Sequence, residues 1–218
     1  MLSSTEENYL KALLRIATEK DGNGEAGTNQ LALKLNVKPA TATDMLKKLK
    51  EKGLVEYQKY KKISLTDTGR ALATGIIRKH RLWETFLFKK LGFSWDEVHD
   101  VAEQLEHIQS DKLVEQLDNF LGYPQFDPHG DMIPRANGEL KSDKSVTLAE
   151  TLVGTQYTIV SVTDNGPDFL QYLSQLKLGI QSVIHVLTRF DFDGSVVLKL
   201  HDHEVTVSKK VAENIYVV

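Results

Sequence analysis

The chain has 218 residues, 41% of them hydrophobic, and a formal net charge of −3 at pH 7; this length and composition predict a soluble protein with more than one domain. The start, "MLSSTEENYL", lacks the basic residues and apolar core of a signal peptide, and no apolar run reaches membrane-spanning length, so we expect a cytoplasmic protein without membrane contact. The absence of cysteine excludes disulfides and thiolate metal sites.

The charge is distributed unevenly along the chain. Residues 34–70 carry ten Lys or Arg against four Asp or Glu, a net of +6, whereas residues 96–140 carry two against eleven, a net of −9. A basic block indicates a polyanionic partner, and an acidic block that contains histidines indicates cation binding. The two parts of the chain therefore have different predicted tasks.

The chain begins with a predicted helix. Ser4 and Glu7 have the spacing of a capping box that opens a helix, and leucines at helical spacing follow as an apolar stripe. The glycines of "DGNGEAG" then predict a loop.

Residues 28–66 have the order of a helix-turn-helix followed by a hairpin. Thr28 is the predicted N-cap of a short helix over residues 30–35. Pro39 suits the first position of a second helix, which should end near Lys52. The segment "LVEYQKYKKISLT" predicts two strands joined by a basic tip. This order is typical of a winged helix.

The second of these helices has the features of a recognition helix for the major groove of DNA. Its first residues are small or polar, so that hydroxyl and methyl groups can approach base edges without a clash, and the basic tip of the hairpin is placed to contact phosphates. The alternatives are a basic helical pair in an unrelated protein and a winged helix that binds only protein. The predicted DNA contacts are Thr28, Lys38, Pro39, Ala40, Thr41, Thr43, Lys47, Lys61 and Lys62.

The stretch "HDVAEQLEH" places four potential metal ligands on one side of a predicted helix. His99, Glu103, Glu106 and His107 fall within one stripe at 100° per residue, beside an apolar stripe that would face a core. The alternative is a solvated acidic face with two incidental histidines.

Two smaller ligand pairs lie on either side of this stripe. His80 and Glu84 are four residues apart in "RKHRLWETFL", and Asp127 and His129 lie in "YPQFDPHGDMIP", where prolines and a glycine stiffen the loop. Each pair alone has an ordinary explanation on a protein surface. Because four of the seven histidines fall between residues 80 and 129, the clustering favours metal binding.

The last third of the chain predicts a small β domain. "QYTIVSVT", "QSVIHVLTRF", "SVVLKL" and "HEVTVS" alternate apolar and polar residues as short strands do, and "FDFDG" predicts a hairpin turn. "GPDFLQYLSQL" predicts a short helix that starts at Pro167, and "LKSDKS" before the domain predicts a linker. Taken alone, this domain could be an interaction module.

Together these features resemble the diphtheria-toxin-repressor and manganese-transport-regulator family of metal-dependent transcriptional regulators. The resemblance is carried by "ENYLKALL", "VKPATATDMLKKLKEKGLV", "LTDTGRALA", "RKHRLWETFL", "VHDVAEQLEH" and "DPHGDMIP", over roughly the first 140 residues. It implies a mainly α protein with a small β domain: a winged helix-turn-helix over residues 1–72, a helical metal-binding and dimerisation domain over 73–143, and a C-terminal SH3-like (FeoA-like) barrel over 148–218.

The resemblance also implies two metal sites. The first would use Asn8, Glu103, Glu106 and His107. The second would use His80, Glu84 and His99, joined by Asp127, His129 and an acidic residue of the C-terminal domain, for which Asp168 is the best match and Asn165 a weaker one.

The chain departs from the family pattern in ways that bear on the metal. Iron-type members carry methionine in place of Asn8 and cysteine in place of Glu103, and many members with a similar loop carry cysteine in place of Asp127. Oxygen and imidazole ligands without sulfur suit Mn²⁺ best and tolerate Fe²⁺, while Zn²⁺ or Co²⁺ can substitute in vitro.

The predicted function is a homodimeric repressor that binds a palindromic double-stranded DNA operator in response to Mn²⁺ or Fe²⁺ and controls metal-homeostasis genes. It is not an enzyme. Its rivals are a metal-dependent phosphohydrolase, suggested by the adjacent His99 and Asp100, and a metal-free winged-helix regulator that senses an organic ligand. A carboxylate-bridged di-iron enzyme would need two Glu-x-x-His pairs, which the sequence lacks.

Overall fold

The computed structural model divides the chain into two compact units that are built from interleaved segments. The first comprises Met1–His80, Gln104–Ser110 and Pro134–Glu139, and the second comprises Arg81–Glu103, Asp111–Ile133 and Leu140–Val218. The structure describes residues 2–18, 26–57, 62–136, 138, 145–201 and 203–218.

The first unit is a helix-turn-helix with a short antiparallel hairpin. Buried leucines of its first helix pack with Leu31, Leu46 and Leu49 of the next two helices in one apolar core. The two hairpin strands pair through Val55 with Leu65 and Glu56 with Ser64. The elements are α1 (Ser4–Thr18), α2 (Thr28–Lys34), α3 (Pro39–Glu51), β1 (Val55–Glu56) and β2 (Ser64–Leu65).

The N-caps of two helices lie one residue before their predicted positions. The capping box of α1 is formed by Ser3 and Glu6, with the Glu6 N–H donating to Ser3 Oγ at 3.3 Å and the Ser3 N–H donating to Glu6 Oε2 at 2.9 Å. Thr28 is the first residue of α2 and is not its N-cap, because the carbonyl of Gly27 accepts the first helical hydrogen bond, from Leu31 N at 3.0 Å.

Three further helices follow the hairpin, α4 (Asp67–Leu91), α5 (Val98–Leu105) and α6 (Asp111–Phe120). In the second unit, Leu82 of α4, Leu117 of α6 and Ile133 form a small buried cluster. None of the described residues lies in a helix long and apolar enough to cross a membrane.

The C-terminal part of the second unit is a six-stranded antiparallel sheet in the order β3-β8-β4-β5-β6-β7. All four predicted strands are present, as is the helix that starts at Pro167; β3 and β8 are additional. The elements are β3 (Val146–Thr147), a 3₁₀ turn (Leu148–Glu150), β4 (Gln156–Val162), α7 (Pro167–Gln175), β5 (Val183–Arg189), β6 (Val196–Leu200), β7 (His203–Val207), α8 (Lys209–Glu213) and β8 (Ile215–Val217).

Candidate metal centres and DNA-binding surface

A buried cluster in the second unit joins α4 to the loop after α6. Glu84 of α4 and Asp127 and His129 of the loop each offer a ligand atom, and these atoms lie within 4.8 Å of one another. The three residues are 1%, 6% and 0% exposed. Carboxylate and imidazole groups concentrated in this way form a chemically suitable metal site.

The loop is held so that its ligand atoms face Glu84. Asp127 Oδ1 accepts hydrogen bonds from the backbone N–H of His129 at 2.8 Å and of Asp131 at 2.9 Å. His129 Nε2 lies 2.7 Å from the carbonyl of Trp95, which can only accept, so Nε2 carries a proton. The other ring nitrogen, Nδ1, is 3.7 Å from Glu84 Oε1. A carbonyl partner of this kind is a common way to orient a metal-binding histidine.

Two atoms of the cluster have the character of unused ligands. Asp127 Oδ2 and His129 Nδ1 are buried and make no hydrogen bond with any residue that the structure describes. Burial raises the pKa of Asp127 to about 8, and the charges of Asp131 and Glu84 add to this shift. Burial alone would lower the pKa of His129, but its interaction with Glu84 and the charge of Asp127 raise it to about 9. A buried acidic cluster of this kind is stabilised by positive charge, which a divalent cation supplies.

Arg81, one turn before Glu84 on α4, anchors the loop at its far side. Its guanidinium donates to the carbonyl of Met132 at 2.5 Å and to Asp131 Oδ2 at 2.9 Å. Its Nε is 3.6 Å from Asp127 Oδ2, which is too long for a hydrogen bond. Arg81 therefore fixes the loop while leaving that carboxylate oxygen to the cluster.

The same loop lies against strand β4 of the C-terminal sheet. The backbone N–H of Val162 donates to the carbonyl of His129 at 3.1 Å. Gly130 has φ of +82°, and a Cβ at this position would lie 1.8 Å from the carbonyl oxygen of Val160. Only glycine fits both the backbone conformation and the close approach.

A second group of charged residues surrounds Glu106 in the first unit. Glu106 is fully buried, and Lys11 Nζ contacts its two carboxylate oxygens at 2.7 and 2.9 Å. His80 Nδ1 lies 2.6 Å from Oε2, and His107 Nε2 lies 4.0 Å from Oε1. Two of the predicted ligands of the first site, Glu106 and His107, are therefore adjacent.

The ring of His107 is oriented by a carboxylate of α1. His107 Nδ1 lies 2.5 Å from Glu7 Oε2, and Gln109 Nε2 donates to Glu7 Oε1 at 2.5 Å. The side-chain oxygen of Asn8, the next residue of α1, is buried and has no hydrogen-bond partner among the described residues. A buried amide oxygen that accepts no hydrogen bond is suited to act as the ligand of a cation.

The remaining predicted ligands are found near one another or on the surface. His99 Nδ1 lies 3.2 Å from Glu84 Oε1, and His99 Nε2 lies 3.6 Å from Glu103 Oε1. Asp168 is exposed in the first turn of α7 and is not a member of the Glu84 cluster. Asn165, the weaker match, has a buried side-chain oxygen that accepts no hydrogen bond from the described residues.

Glu7 and Lys11 were not among the predicted site residues. They are four residues apart on α1 and 4% and 5% exposed. The i, i+4 spacing of an acid and a base could have drawn attention to them, but on a single helix it equally describes a solvent-exposed pair.

The predicted DNA-contacting residues lie mostly on the surface of the first unit. Ala42 and Leu46 turn into the core, so that the opposite face of α3 is presented outward. Thr43 Oγ1 donates to the carbonyl of Pro39 at 2.9 Å, and Lys47 pairs with Asp44 at 3.0 Å. Lys61 and most of the basic tip lie outside the described residues. The exposed members are Lys38, Pro39, Ala40, Thr41, Lys47 and Lys62, and Thr28 and Thr43 are half-buried.

Three family descriptions match successive segments of the chain. The family described as "Iron dependent repressor, N-terminal DNA binding domain" matches residues 1–63, "Iron dependent repressor, metal binding and dimerisation domain" matches residues 66–135, and "FeoA domain" matches residues 146–218.

Similar individual proteins cover almost the whole chain. The iron-dependent repressor IdeR of Mycobacterium leprae is 27% identical over 227 residues, which span 99% of this chain and 97% of the relative. The solved structure of a manganese-dependent transcriptional repressor in complex with manganese is 36% identical, with a TM-score of 0.88 over 98% of this chain and 99% of that one. The structure of ScaR with bound Cd²⁺ is 36% identical, with a TM-score of 0.81 and 98% of both chains covered.

A winged helix followed by a helical domain with buried carboxylate and imidazole clusters defines a metal-dependent DNA-binding regulator. The chain belongs to the diphtheria-toxin-repressor and manganese-transport-regulator family of metal-dependent transcriptional repressors. The predictions of fold class, of a regulator that is not an enzyme, and of DNA and a second copy as partners are confirmed by the family.

Proposed function

We propose that this repressor senses Mn²⁺, with Fe²⁺ as the alternative metal, and that it controls metal-homeostasis genes from the cytoplasm. The observation that carries the proposal is the buried set of Glu84, Asp127 and His129, which combines carboxylate and imidazole ligands around two atoms that lack hydrogen bonds within the described chain.

The proposed metal follows from the chemistry of the ligands. Every proposed ligand offers oxygen or imidazole nitrogen, and the chain contains no cysteine. Hard oxygen ligands suit Mn²⁺, which lies at the weak end of the divalent affinity series and is selected by ligand number and geometry. The relatives include proteins named for manganese and for iron, so the ligand set decides between the two metals in this proposal.

Metal binding at either site would supply two positive charges to a buried group of acidic residues. At one site, Glu84, Asp127 and His129 would hold the ion, with His99 beside them and Asp168 joining from the C-terminal domain. At the other, Asn8, Glu106 and His107 would hold it. Because Asn8 is on α1, occupancy of that site would fasten α1 to the segment after α5.

The proposed operator is palindromic. A closed dimer presents two symmetry-related copies of α3, and each copy would enter a major groove with its exposed first turn. Two half-sites related by a twofold axis would then be read by identical residues, among them Thr41. Lys62 would contact phosphates and add affinity without sequence preference.

Selection from a random DNA library under anaerobic conditions tests this proposal. The full chain is incubated with Mn²⁺, Fe²⁺, Zn²⁺, Co²⁺ or no added metal, and the retained DNA is sequenced. We expect Mn²⁺ to enrich an inverted repeat, although Co²⁺ and Zn²⁺ bind a given site more tightly, and we expect no enrichment without metal. Glu84→Gln, which keeps the shape of the side chain but removes its charge, should require more Mn²⁺.

Three results would contradict the proposal. Enrichment without metal would exclude metal control, enrichment of a single half-site would exclude a palindromic operator, and a failure of Mn²⁺ to enrich any sequence would exclude the proposed metal.

A further inference from the structure

Lys11 is a buried cation in the first unit. Its side chain is 6% exposed and Glu106 is 0% exposed, and its ammonium contacts both oxygens of the Glu106 carboxylate. A lysine is rarely buried unless it is paired, because removing its charge from water is costly. The contact therefore gives Glu106 a positive partner within the chain itself.

This partner lies at the carboxylate that the first metal site is proposed to use. Nζ is 2.7 Å from Oε1 of Glu106, the same oxygen that is 4.0 Å from Nε2 of His107. The second oxygen, Oε2, is contacted by His80 as well. A divalent ion that bound Oε1 at an ordinary metal–oxygen distance of about 2.2 Å would be repelled by an ammonium so close to the same atom.

We propose that Lys11 is an internal cation that competes with the metal for Glu106 and thereby sets the affinity of the first site. This inference rests on the proposed function of that site. The ammonium compensates the buried carboxylate before the metal binds and has to leave it when the metal binds. The metal affinity is reduced by the free energy of that ion pair, so the site fills only at a higher metal concentration.

Competition by Lys11 predicts that removal of its side chain strengthens metal binding at the first site. Lys11→Met, a substitution of similar length without charge, should lower the Kd for Mn²⁺ at the first site by about 5- to 150-fold, the usual range for two coupled events. Disruption of the fold would raise the Kd instead. The matched control is Arg15→Met, which removes one positive charge one turn further along α1, where the side chain is half-buried.

The measurement uses the full chain with His129→Ala, so that the first site is observed without the second. Free Mn²⁺ is followed by electron paramagnetic resonance during a titration with manganese chloride. Thermal unfolding of the same proteins without metal is the second readout. We expect Lys11→Met to lower Tm in the absence of metal. Saturating Mn²⁺ should raise the Tm of the variant by more than it raises the Tm of the parent. If Lys11→Met does not fold, Lys11→Gln gives the same comparison.

The failure of this inference can be distinguished from the failure of the first site itself. If Glu106→Gln binds as much Mn²⁺ as the His129→Ala parent, with equal affinity, Glu106 is not a ligand and the site proposal fails. If Glu106→Gln loses the ion while the neutral Lys11 variant binds it as weakly as the parent or more weakly, the site stands and competition by Lys11 is wrong. If Arg15→Met lowers the Kd for Mn²⁺ as much as Lys11→Met does, the effect is one of overall charge and competition by Lys11 is wrong as well.

Discussion

Glu6 links α1 to the C-terminal end of α3 through one ion pair. Lys52 Nζ lies 2.6 Å from Glu6 Oε1, and the two side chains are 44% and 10% exposed. The hydrogen bond from Lys52, helped by those from Ser3, holds the pKa of Glu6 below its usual value of 4.5. The stabilisation is therefore complete above pH 4.5 and is lost as the pH falls through the lowered pKa.

Glu6→Gln should lower the free energy of unfolding at pH 7 by about 0.5–1 kcal/mol, a small value because Lys52 is nearly half exposed. Glutamine can still accept the hydrogen bond from the Ser3 N–H, so the capping box is kept, whereas the charge and the hydrogen bond from Lys52 are lost. Urea unfolding should show a smaller difference from the parent at pH 3 than at pH 7. Ser3→Ala, which removes a cap worth about 1 kcal/mol, should be destabilising at both pH values. If Glu6→Gln lowers the free energy of unfolding equally at both pH values, the ion pair with Lys52 is not the source of the loss.

Single residues could be proposed as ligands from the sequence where their spacing carried information. Asp127 and His129 became candidate ligands because prolines and a glycine restrict the loop that holds them, and Glu84 because it follows a histidine by four residues. Lys11 could not be identified, since a charged residue on a helix is assigned to the solvent unless the segment that covers it is known. Its burial depends on the chain around Glu106, which lies 95 residues away in the sequence.

At the scale of elements, the turn at Gly130 determines how the loop of His129 meets strand β4. Gly130→Ala should lower the free energy of unfolding by the backbone strain of an alanine at positive φ and by about 1–3 kcal/mol more, because the new methyl group would overlap the main chain of β4. It should also weaken Mn²⁺ binding by the adjacent His129. Urea unfolding and metal titration of the full chain measure the two effects.

Gly122 provides the matched control. It has φ of +74°, but a Cβ added there would meet no atom of the described residues within 4 Å, so Gly122→Ala carries only the backbone strain of about 1–2 kcal/mol. Equal losses for the two variants, with equal metal affinity, would show that the contact with β4 does not hold the loop.

The recognition helix and the hairpin should contribute to DNA binding in different ways. Lys62→Ala should weaken binding to all sequences alike and reduce the slope of affinity against salt by about one unit, because it removes one phosphate contact. Thr41→Val should change the preference among operators and leave the slope unchanged. Fluorescence anisotropy over a salt series measures both, with the exposed Lys177→Ala as control. If Lys62→Ala changed the preference among DNA sequences and Thr41→Val did not, the proposed placement of α3 in the major groove and of the hairpin on phosphates would be wrong.

The longer elements could be predicted because their patterns repeat. The periods of α1, α5 and the four main strands are readable in the sequence, and Pro39 and Pro167 mark the starts of two helices, whereas α6 and α8 were not predicted. Strands β3 and β8, with two and three residues, are too short to show alternation and exist only through their pairing with each other and with β4. The N-caps of α1 and α2 lie one residue before the predicted ones because a neighbouring serine or glycine can cap equally well.

At the scale of the whole molecule, the role of Asp168 decides whether the C-terminal domain takes part in metal binding. Gly166 is the N-cap of α7, so Asp168 does not cap its own helix. We expect Asp168→Ala to weaken or remove one Mn²⁺ equivalent per chain while the dimer persists. Calorimetric titration, with hydrogen exchange to follow the C-terminal domain, measures this, and Gln175→Ala at the other end of α7 is the control.

A structural role for Asp168 predicts a different result. An acidic residue in the first turn of a helix contributes about 0.3–1 kcal/mol through the helix dipole. If Asp168→Ala loses only this much stability and binds Mn²⁺ with full stoichiometry and affinity, the bridging proposal is wrong. Asn165→Ala then tests the neighbouring residue, whose side-chain oxygen is buried.

The hydrogen bond from Val162 to the carbonyl of His129 has a consequence for regulation. If docking of this strand and occupancy of the metal cluster stabilise each other, thermodynamics requires the effect to be reciprocal. A molecule that bound the C-terminal sheet and favoured its docked position would raise the affinity of the protein for the metal. The metal would then raise the affinity for that molecule by the same factor. The sheet would then be an input to the sensor as well as a support, and the metal concentration at which the genes respond could be adjusted without any change in the ligands.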